Sequence, residues 1–119
     1  MKIDDLDYVI DALKKRDEIL INGKRISQYN KYFRKMCEYT RKMINANRQA
    51  ELLSFLDSDN ISYRVDVAGL LYNCYPDRCK QVLKEISEMS VETGLPKYYI
   101  NLSVSAEMAL EIGIPKDFP

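Results

Sequence analysis

Two cysteines five positions apart are the first residues of this chain whose type and spacing could do chemistry. Cys74 and Cys79 bracket a proline in the stretch "CYPDRC", and Cys37 is the third cysteine. A zinc site needs four thiolate, imidazole or carboxylate ligands, and the chain contains no histidine. We therefore interpret Cys74 and Cys79 as small buried apolar residues on facing helices, and we predict neither a metal nor any other cofactor.

The absence of histidine also restricts the classes of enzyme to which the chain could belong. It excludes Ser-His-Asp and Cys-His nucleophile pairs and histidine general bases. The sequence contains no glycine-rich loop of the kind that holds phosphates. Glutamates at helical spacing could exchange protons only if burial separated their pKa values, and we expect them on exposed faces: Glu85, Glu88 and Glu92, and Glu107 and Glu111. We predict that the protein is not an enzyme.

The densest positive charge lies between residues 24 and 48, where eight basic residues stand against one acid, Glu38. The whole chain has a formal net charge of zero, so this charge is local. Helical spacing would gather most of these cations on one side of a helix, with tyrosines beside them. We name this set the basic surface and predict that it binds a partner: Lys31, Tyr32, Arg34, Lys35, Tyr39, Arg41 and Lys42.

Three interpretations of the basic surface remain open on the sequence. It could bind another protein that has an acidic surface, which is the partner we predict. It could instead bind nucleic acid or another polyanion. It could also be a solvated face on which Glu38 pairs with cations three and four residues away.

Arg64 is a further candidate, because it follows an acidic turn that contains Asp57 and Asp59 and precedes Asp66 by two positions. An arginine in this setting could anchor a phosphate. We favour a structural role, in which Arg64 pairs with the acidic turn and ties neighbouring helices together.

Helical periodicity, interrupted by glycine, proline and asparagine, predicts six helices and no strand. The helices are expected at about 4–20, 25–45, 48–57, 61–74, 76–94 and 96–112. The length of 119 residues is that of one domain. Because only helices are expected, this domain is predicted to be all-α. The regular breaks favour helix pairs of roughly 30 to 40 residues, which are typical of α-solenoids. The second and third predicted helices would form one pair and the fourth and fifth the next.

The stretch "LLSFLDSDNISYRVDVAGLL" resembles the junction between HEAT-type repeats. The order of segments over residues 28–112 also resembles a bacterial uncharacterised-domain (DUF) family of small HEAT-like proteins. The resemblance implies a short α-α superhelix, a HEAT-like solenoid of five to six helices. Within the chain we predict a repeat core (25–112) and a tail (113–119). The resemblance does not explain residues 1–24, which the helical pattern predicts to be an N-terminal capping helix over the open end.

The same resemblance implies a protein-binding module, and more specifically an immunity protein that binds and blocks a toxin. In a HEAT-like layout the second helix of each pair lines the concave side, which nominates a surface that competes with the basic one: Glu51, Arg78, Lys80, Gln81 and Lys84. Three cysteines do not make a disulfide framework, so we expect a reducing cytoplasm. We predict no membrane association, and a monomer or a weak homodimer.

Overall fold

Five α-helices joined by 3-10 segments make up the computed structural model, which describes residues 4–119. The helices are α1 (Asp5–Asn22), α2 (Tyr29–Asn45), α3 (Ile61–Leu71), α4 (Pro76–Ser87) and α5 (Ile100–Ile112). The 3-10 segments are Ile26–Gln28, Gln49–Asp57, Val91–Thr93 and Lys97–Tyr99. Residues 4–119 contain no strand, so the prediction of an all-α chain is confirmed. In this range no helix has the length and apolarity needed to cross a membrane.

Local capping chemistry determines where three of the helices begin or end. α1 ends at Gly23, which adopts a left-handed φ of 64° that side-chain-bearing residues rarely reach. α3 begins where the Asn60 side chain accepts a hydrogen bond from the backbone N–H of Tyr63, at 3.1 Å. α4 begins at Pro76, whose missing N–H costs nothing in a first turn. The predicted helix starts at residues 61 and 76 are confirmed, and α1 ends two residues later than predicted.

Several predicted helices are shorter or tighter than expected. The α-helical geometry of α2 begins at Tyr29 and that of α5 at Ile100, each after a 3-10 turn, and α3 ends at Leu71. The segment predicted as a helix at 48–57 is a nine-residue 3-10 helix, Gln49–Asp57. The helix predicted to reach Gly94 ends at Ser87. The reason lies at Ser90, whose backbone is extended and whose N–H donates to the Thr93 hydroxyl at 2.9 Å. This side-chain contact starts a separate turn, so Glu88 and Glu92 do not share a helix with Glu85.

The helices enclose one main core. α1 packs most extensively against α2, α3 packs against both the 49–57 segment and α4, and α5 packs against α4. α5 contributes Ala106 to the core, while α1 to α4 and the 49–57 segment contribute large buried side chains: Val9, Leu13, Met36, Met43, Leu52, Leu56, Val67, Leu70, Leu71, Leu83 and Ile86. Burying such side chains is the main favourable term in folding.

The finer prediction of a HEAT-like superhelix is not confirmed. In a solenoid each repeat contacts only its neighbours, whereas here residue Phe118 reaches back to Phe33 of α2. The expected pairing of the second and third predicted helices also differs, because α2 packs mainly against α1. The Cα radius of gyration is 13.8 Å, close to the ~13.5 Å expected for a compact globule of this length. The α3–α4 hairpin does match the predicted fourth and fifth helices.

Candidate partner-binding surfaces

The basic surface lies on α2, where one continuous helix carries all seven of its residues. Lys31, Arg34, Arg41 and Lys42 are exposed, and the opposite side of the helix carries the buried Met36, Thr40 and Met43. The helical spacing used in the sequence analysis is therefore present in the structure.

Aromatic rings support part of the basic surface. The ring of Tyr39 stacks on that of Tyr8 from α1, with centroids 4.3 Å apart and planes inclined by 12°. The Lys35 ammonium lies 5.4 Å from the Tyr8 ring centroid, and the Lys42 ammonium lies 4.7 Å from that of Tyr39. These cation–π contacts hold both lysines over the stack. Tyr32 is half-buried and packs against the core.

Few carboxylates neutralise these cations. Lys42 lies 3.9 Å from Glu38 in an exposed pair, which contributes little stability. Arg41 donates to the backbone carbonyl of Asp117 at 2.9 Å. Within residues 4–119 no ion pair involves Lys31, Arg34 or Lys35 at 4.0 Å or less.

The competing surface is partly occupied by ion pairs of its own. Glu51 is held by Arg48, which also binds Asp4 and thereby joins the end of α2 to the start of α1. The side-chain hydrogen bonds from Arg48 lower the pKa of both carboxylates. Arg78 pairs with Asp57 at 2.5 Å. On α4, Lys80, Gln81 and Lys84 are exposed.

Arg64 does not pair with the acidic turn, so that prediction was wrong about its partner. Its guanidinium lies 2.6 Å from the carboxylate of Glu85 on α4. Arg64 is in the first turn of α3, on the side that packs against α4, whereas Asp57 of the acidic turn faces Arg78 at the start of α4. Arg64 therefore ties α3 to α4, which is the kind of structural role that was expected of it.

A buried ion pair lies at the centre of the molecule, and the sequence analysis missed it. Arg16 of α1 donates two hydrogen bonds to the carboxylate of Asp66 on α3, at 3.0 and 3.1 Å. It donates a third to the backbone carbonyl of Tyr29, at 2.9 Å, and its guanidinium stacks on the rings of Tyr29 and Phe33. Burial raises the pKa of Asp66, an effect that Arg16 opposes. The available signal was that Arg16 stands among the apolar positions of α1, three residues after Leu13.

A second buried carboxylate, Asp17, accepts hydrogen bonds from the Tyr99 hydroxyl at 2.5 Å and from the Asn60 side chain at 2.9 Å. Burial and this bond raise the pKa of Tyr99 above its ordinary value. Asp17 and Asp66 are thus both held by donors from distant parts of the chain. We assign both carboxylates a structural role, joining α1 to α3 and to the segment before α5.

The three cysteines are free thiols. Cys79 is buried on α4, and burial raises its pKa to about 11. Burial also raises the pKa of Cys37 and of Cys74. Because the thiolate is the reactive and metal-binding form, these environments suit packing. Cys74 lies in the turn after α3 and is partly exposed, so the expectation that it is buried on a facing helix was wrong. Residues 4–119 contain no cluster of three acidic or cysteine side chains suited to a metal.

α5 exposes an apolar surface that the sequence analysis did not identify. Its Leu102 and Ala106 are buried in the core, but large side chains on the other side face solvent. We name these the α5 apolar surface: Ile100 (49% exposed), Val104 (51%), Met108 (51%) and Ile112 (77%). The signal in the sequence was their strict four-residue spacing.

A cleft of about 350 Å³ lies beside the first turn of α5. Ile100 forms one wall together with Tyr98, and Ile26 lies on the other side, after α1. Tyr98 and Ile26 are 45% and 68% exposed. The α5 apolar surface therefore continues into a concave site large enough to receive an apolar side chain.

The resemblance to small HEAT-like bacterial proteins rests on residues 28–112 of the sequence itself. It stays a prediction, because no family model, no curated protein and no solved structure matches this chain.

Proposed function

We propose that the protein is a non-enzymatic protein-binding module that holds its partner on the α5 apolar surface. The observation that carries this proposal is the row Ile100, Val104, Met108 and Ile112, half-exposed or more along the outer side of α5. A helix that is apolar on all sides is normally buried between neighbours. Among residues 4–119, only one side of α5 has neighbours, and contiguous apolar surface of this kind marks interaction sites.

The charge around α5 defines the kind of partner. The helix carries Glu107 and Glu111, both exposed, and has no lysine or arginine between Ile100 and Ile112. Because residues three and four positions apart are neighbours on a helix, Glu107 lies next to Val104 and Glu111 next to Met108. A complementary partner therefore presents apolar residues edged by lysine or arginine. An amphipathic helix lying along α5, with one side chain in the cleft, meets both requirements.

The finer parts of the proposal rest on the resemblance to HEAT-like proteins. They are a HEAT-like scaffold, of which the α3–α4 hairpin is one helix pair, and the steric blocking of a toxin by an immunity protein. Three free thiols support a reducing cytoplasm as the compartment. A monomer or a weak homodimer is the proposed state of the free protein.

Nucleic-acid binding through the basic surface is the second candidate. It is favoured by the exposed Lys31 and Arg34, which form no ion pair within residues 4–119 at 4.0 Å or less. A protein partner with an acidic region would use the same cations. The two differ in their salt dependence, since affinity for nucleic acid falls steeply with salt in proportion to the number of phosphates neutralised.

The test compares three purified variants as bait for proteins from a lysate of the source organism. Val104→Glu with Met108→Glu reverses the character of the α5 apolar surface. Lys31→Glu with Arg34→Glu does the same for the basic surface. Lys14→Glu with Lys15→Glu, on exposed positions of α1 outside every candidate surface, is the control for added negative charge. Circular dichroism establishes that each variant is folded.

The proposal expects one stoichiometric protein that the wild type and the α1 control retain and the α5 variant loses. A partner that survives the α5 substitutions contradicts the proposed site. A partner lost only with the basic-surface variant, or an eluate of nucleic acid that washes off with salt, assigns the function to α2 instead.

A further inference from the structure

Residues 113–119, which follow α5, turn back and lie across α2 and the turn after α3. We name them the return segment. The reversal begins at Gly113, whose φ is 87°. Phe118 brings its ring to 5.5 Å from that of Phe33 on α2, and Pro119 is buried. A backbone hydrogen bond from Phe118 N–H to the Pro115 carbonyl, at 3.0 Å, closes a turn within the segment.

Side chains of α2 and of the turn after α3 donate hydrogen bonds to the backbone of the return segment. The Asn73 amide donates to the carbonyls of Pro115 and Phe118, at 3.1 and 3.3 Å. Arg41 donates to the carbonyl of Asp117 at 2.9 Å. Three of the carbonyls in a five-residue stretch are thus bound by side-chain donors, while an aromatic ring supplies the apolar contact. Protein grooves recognise short peptides in this way, with main-chain hydrogen bonds for affinity and an anchor residue for specificity.

The return segment leaves part of its groove empty. A cleft of about 370 Å³ opens beside Phe118, with Arg34, Cys37 and Arg41 in its wall. A second space of about 180 Å³ lies between Phe118 and Gly69. A ligand larger than the segment could therefore fill the groove more completely and gain contacts that the segment does not make.

We propose that this groove is a peptide-binding site for a short proline-containing turn with an aromatic anchor and an acidic residue, and that residues 114–119 occupy it as an internal ligand. Asn73 and Arg41 bind the carbonyls of the peptide, and Phe33 contacts its aromatic ring. Proline lowers the entropy that the peptide loses on binding. The acidic residue is favoured by the guanidinium groups of Arg34 and Arg41, which outnumber the single carboxylate that α2 contributes to the wall, Glu38. The site uses residues other than the α5 apolar surface, so it does not depend on the function proposed above.

Because residues 114–119 already occupy the groove, they compete with any peptide that binds from solution. A segment tethered by a short linker competes at an effective concentration on the order of millimolar. An outside peptide with the same contacts therefore binds the wild-type chain weakly. Weakening the contact of Phe118 releases the groove and raises the apparent affinity for the outside peptide.

The experiment uses the full chain and a labelled peptide, Ile-Pro-Lys-Asp-Phe-Pro, with both ends blocked, which reproduces residues 114–119. Fluorescence anisotropy measures its binding to the wild type and to Phe118→Ala, with Phe118→Leu as a milder variant if Phe118→Ala does not fold. We expect binding to the variant at least tenfold tighter than to the wild type. Adding Asn73→Leu to the Phe118 variant should weaken its binding of the peptide by about tenfold, the loss expected for one or two hydrogen bonds. Asn22→Leu, at an exposed asparagine at the end of α1, is the matched control and should change nothing.

Three outcomes overturn the proposal. The first is that the peptide binds neither the wild type nor the released variants. The second is that it binds both equally, which places it elsewhere on the surface. The third is that the wild type is a dimer by light scattering and Phe118→Ala is a monomer, which makes the groove a site for the segment of a second copy. Loss of binding with a peptide in which the phenylalanine is replaced by alanine supports the aromatic anchor.

Discussion

Replacing Asp66 by asparagine tests the central ion pair of the molecule. The change keeps the shape of the side chain but removes its charge, so the guanidinium of Arg16 is left without a counter-charge. The two side chains are 7% and 3% exposed, which leaves little access to water. Breaking a buried pair by removing one partner costs about 3–5 kcal/mol. Stacking on Tyr29 and Phe33 compensates part of this loss, so we expect the lower end of that range.

The free energy of unfolding of a domain is only about 5–15 kcal/mol, so this loss should be plain in a urea titration followed by circular dichroism. With a slope of about 1.5 kcal/mol per molar urea, the midpoint should fall by about 2 M. Glu85→Gln is the matched control, since it breaks the half-exposed pair with Arg64 and should cost about 0–1 kcal/mol.

A double variant distinguishes the loss of the ion pair from the cost of leaving one buried charge unpaired. Arg16→Met with Asp66→Leu removes both charges, so it should be less destabilising than Asp66→Asn alone. The reasoning is refuted if Asp66→Asn and Glu85→Gln lower the free energy of unfolding equally, or if the double variant is the least stable of the three.

Three further predictions concern the backbone, the thiols and the pH dependence. Gly23→Ala should destabilise the fold by about 1 kcal/mol because of its left-handed φ, whereas Gly69→Ala, inside α3 with space around it, should stabilise it by about 0.5–1 kcal/mol; urea midpoints decide the signs. At pH 8 Cys79 should resist alkylation until the chain unfolds, as read by mass spectrometry, because a pKa of about 11 leaves only about a thousandth of it as thiolate. Arg48 lowers the pKa of the two carboxylates that it binds, so their contribution to stability is present above the unfolded values of 3.8 and 4.5 and is lost as the pH falls through the depressed folded values. Urea midpoints of Arg48→Met should therefore change less than those of the wild type when the pH is lowered through this range.

The sequence predicts well what a few neighbouring residues decide. The end of α1 at Gly23, the cap at Asn60 and the start of α4 at Pro76 each depend on chemistry within one turn. The end of α4 at Ser87 was not predicted, because a serine–threonine contact competes there with helix extension. No periodicity encodes that choice.

Contacts between distant residues could not be predicted in the same way. Arg16 and Asp66 are separated by 50 positions, and only the fold shows that they meet. Arg64 illustrates the difference, because its structural role was predicted but its partner, Glu85, was not. α5 is apolar on both sides, so which side faces solvent depended on the position of α4.

For the basic surface, the sequence makes two separate predictions, one about where its residues lie and one about what they bind. Its cations lie on one helix, as their spacing indicated. The Tyr8–Tyr39 stack beneath two of the lysines was not predictable, because Tyr8 belongs to α1. Whether these cations meet a partner stays a prediction.

The buried ion pair between Arg16 and Asp66 also limits which substitutions the sequence can accumulate during evolution. A single substitution at either position passes through a chain that has an uncompensated buried charge and little remaining stability. Drift at these sites therefore requires a second change, or a prior gain of stability elsewhere. We expect distant relatives to carry both residues or to have replaced both with apolar ones. A relative with one and not the other should show a new polar neighbour for the residue that remains.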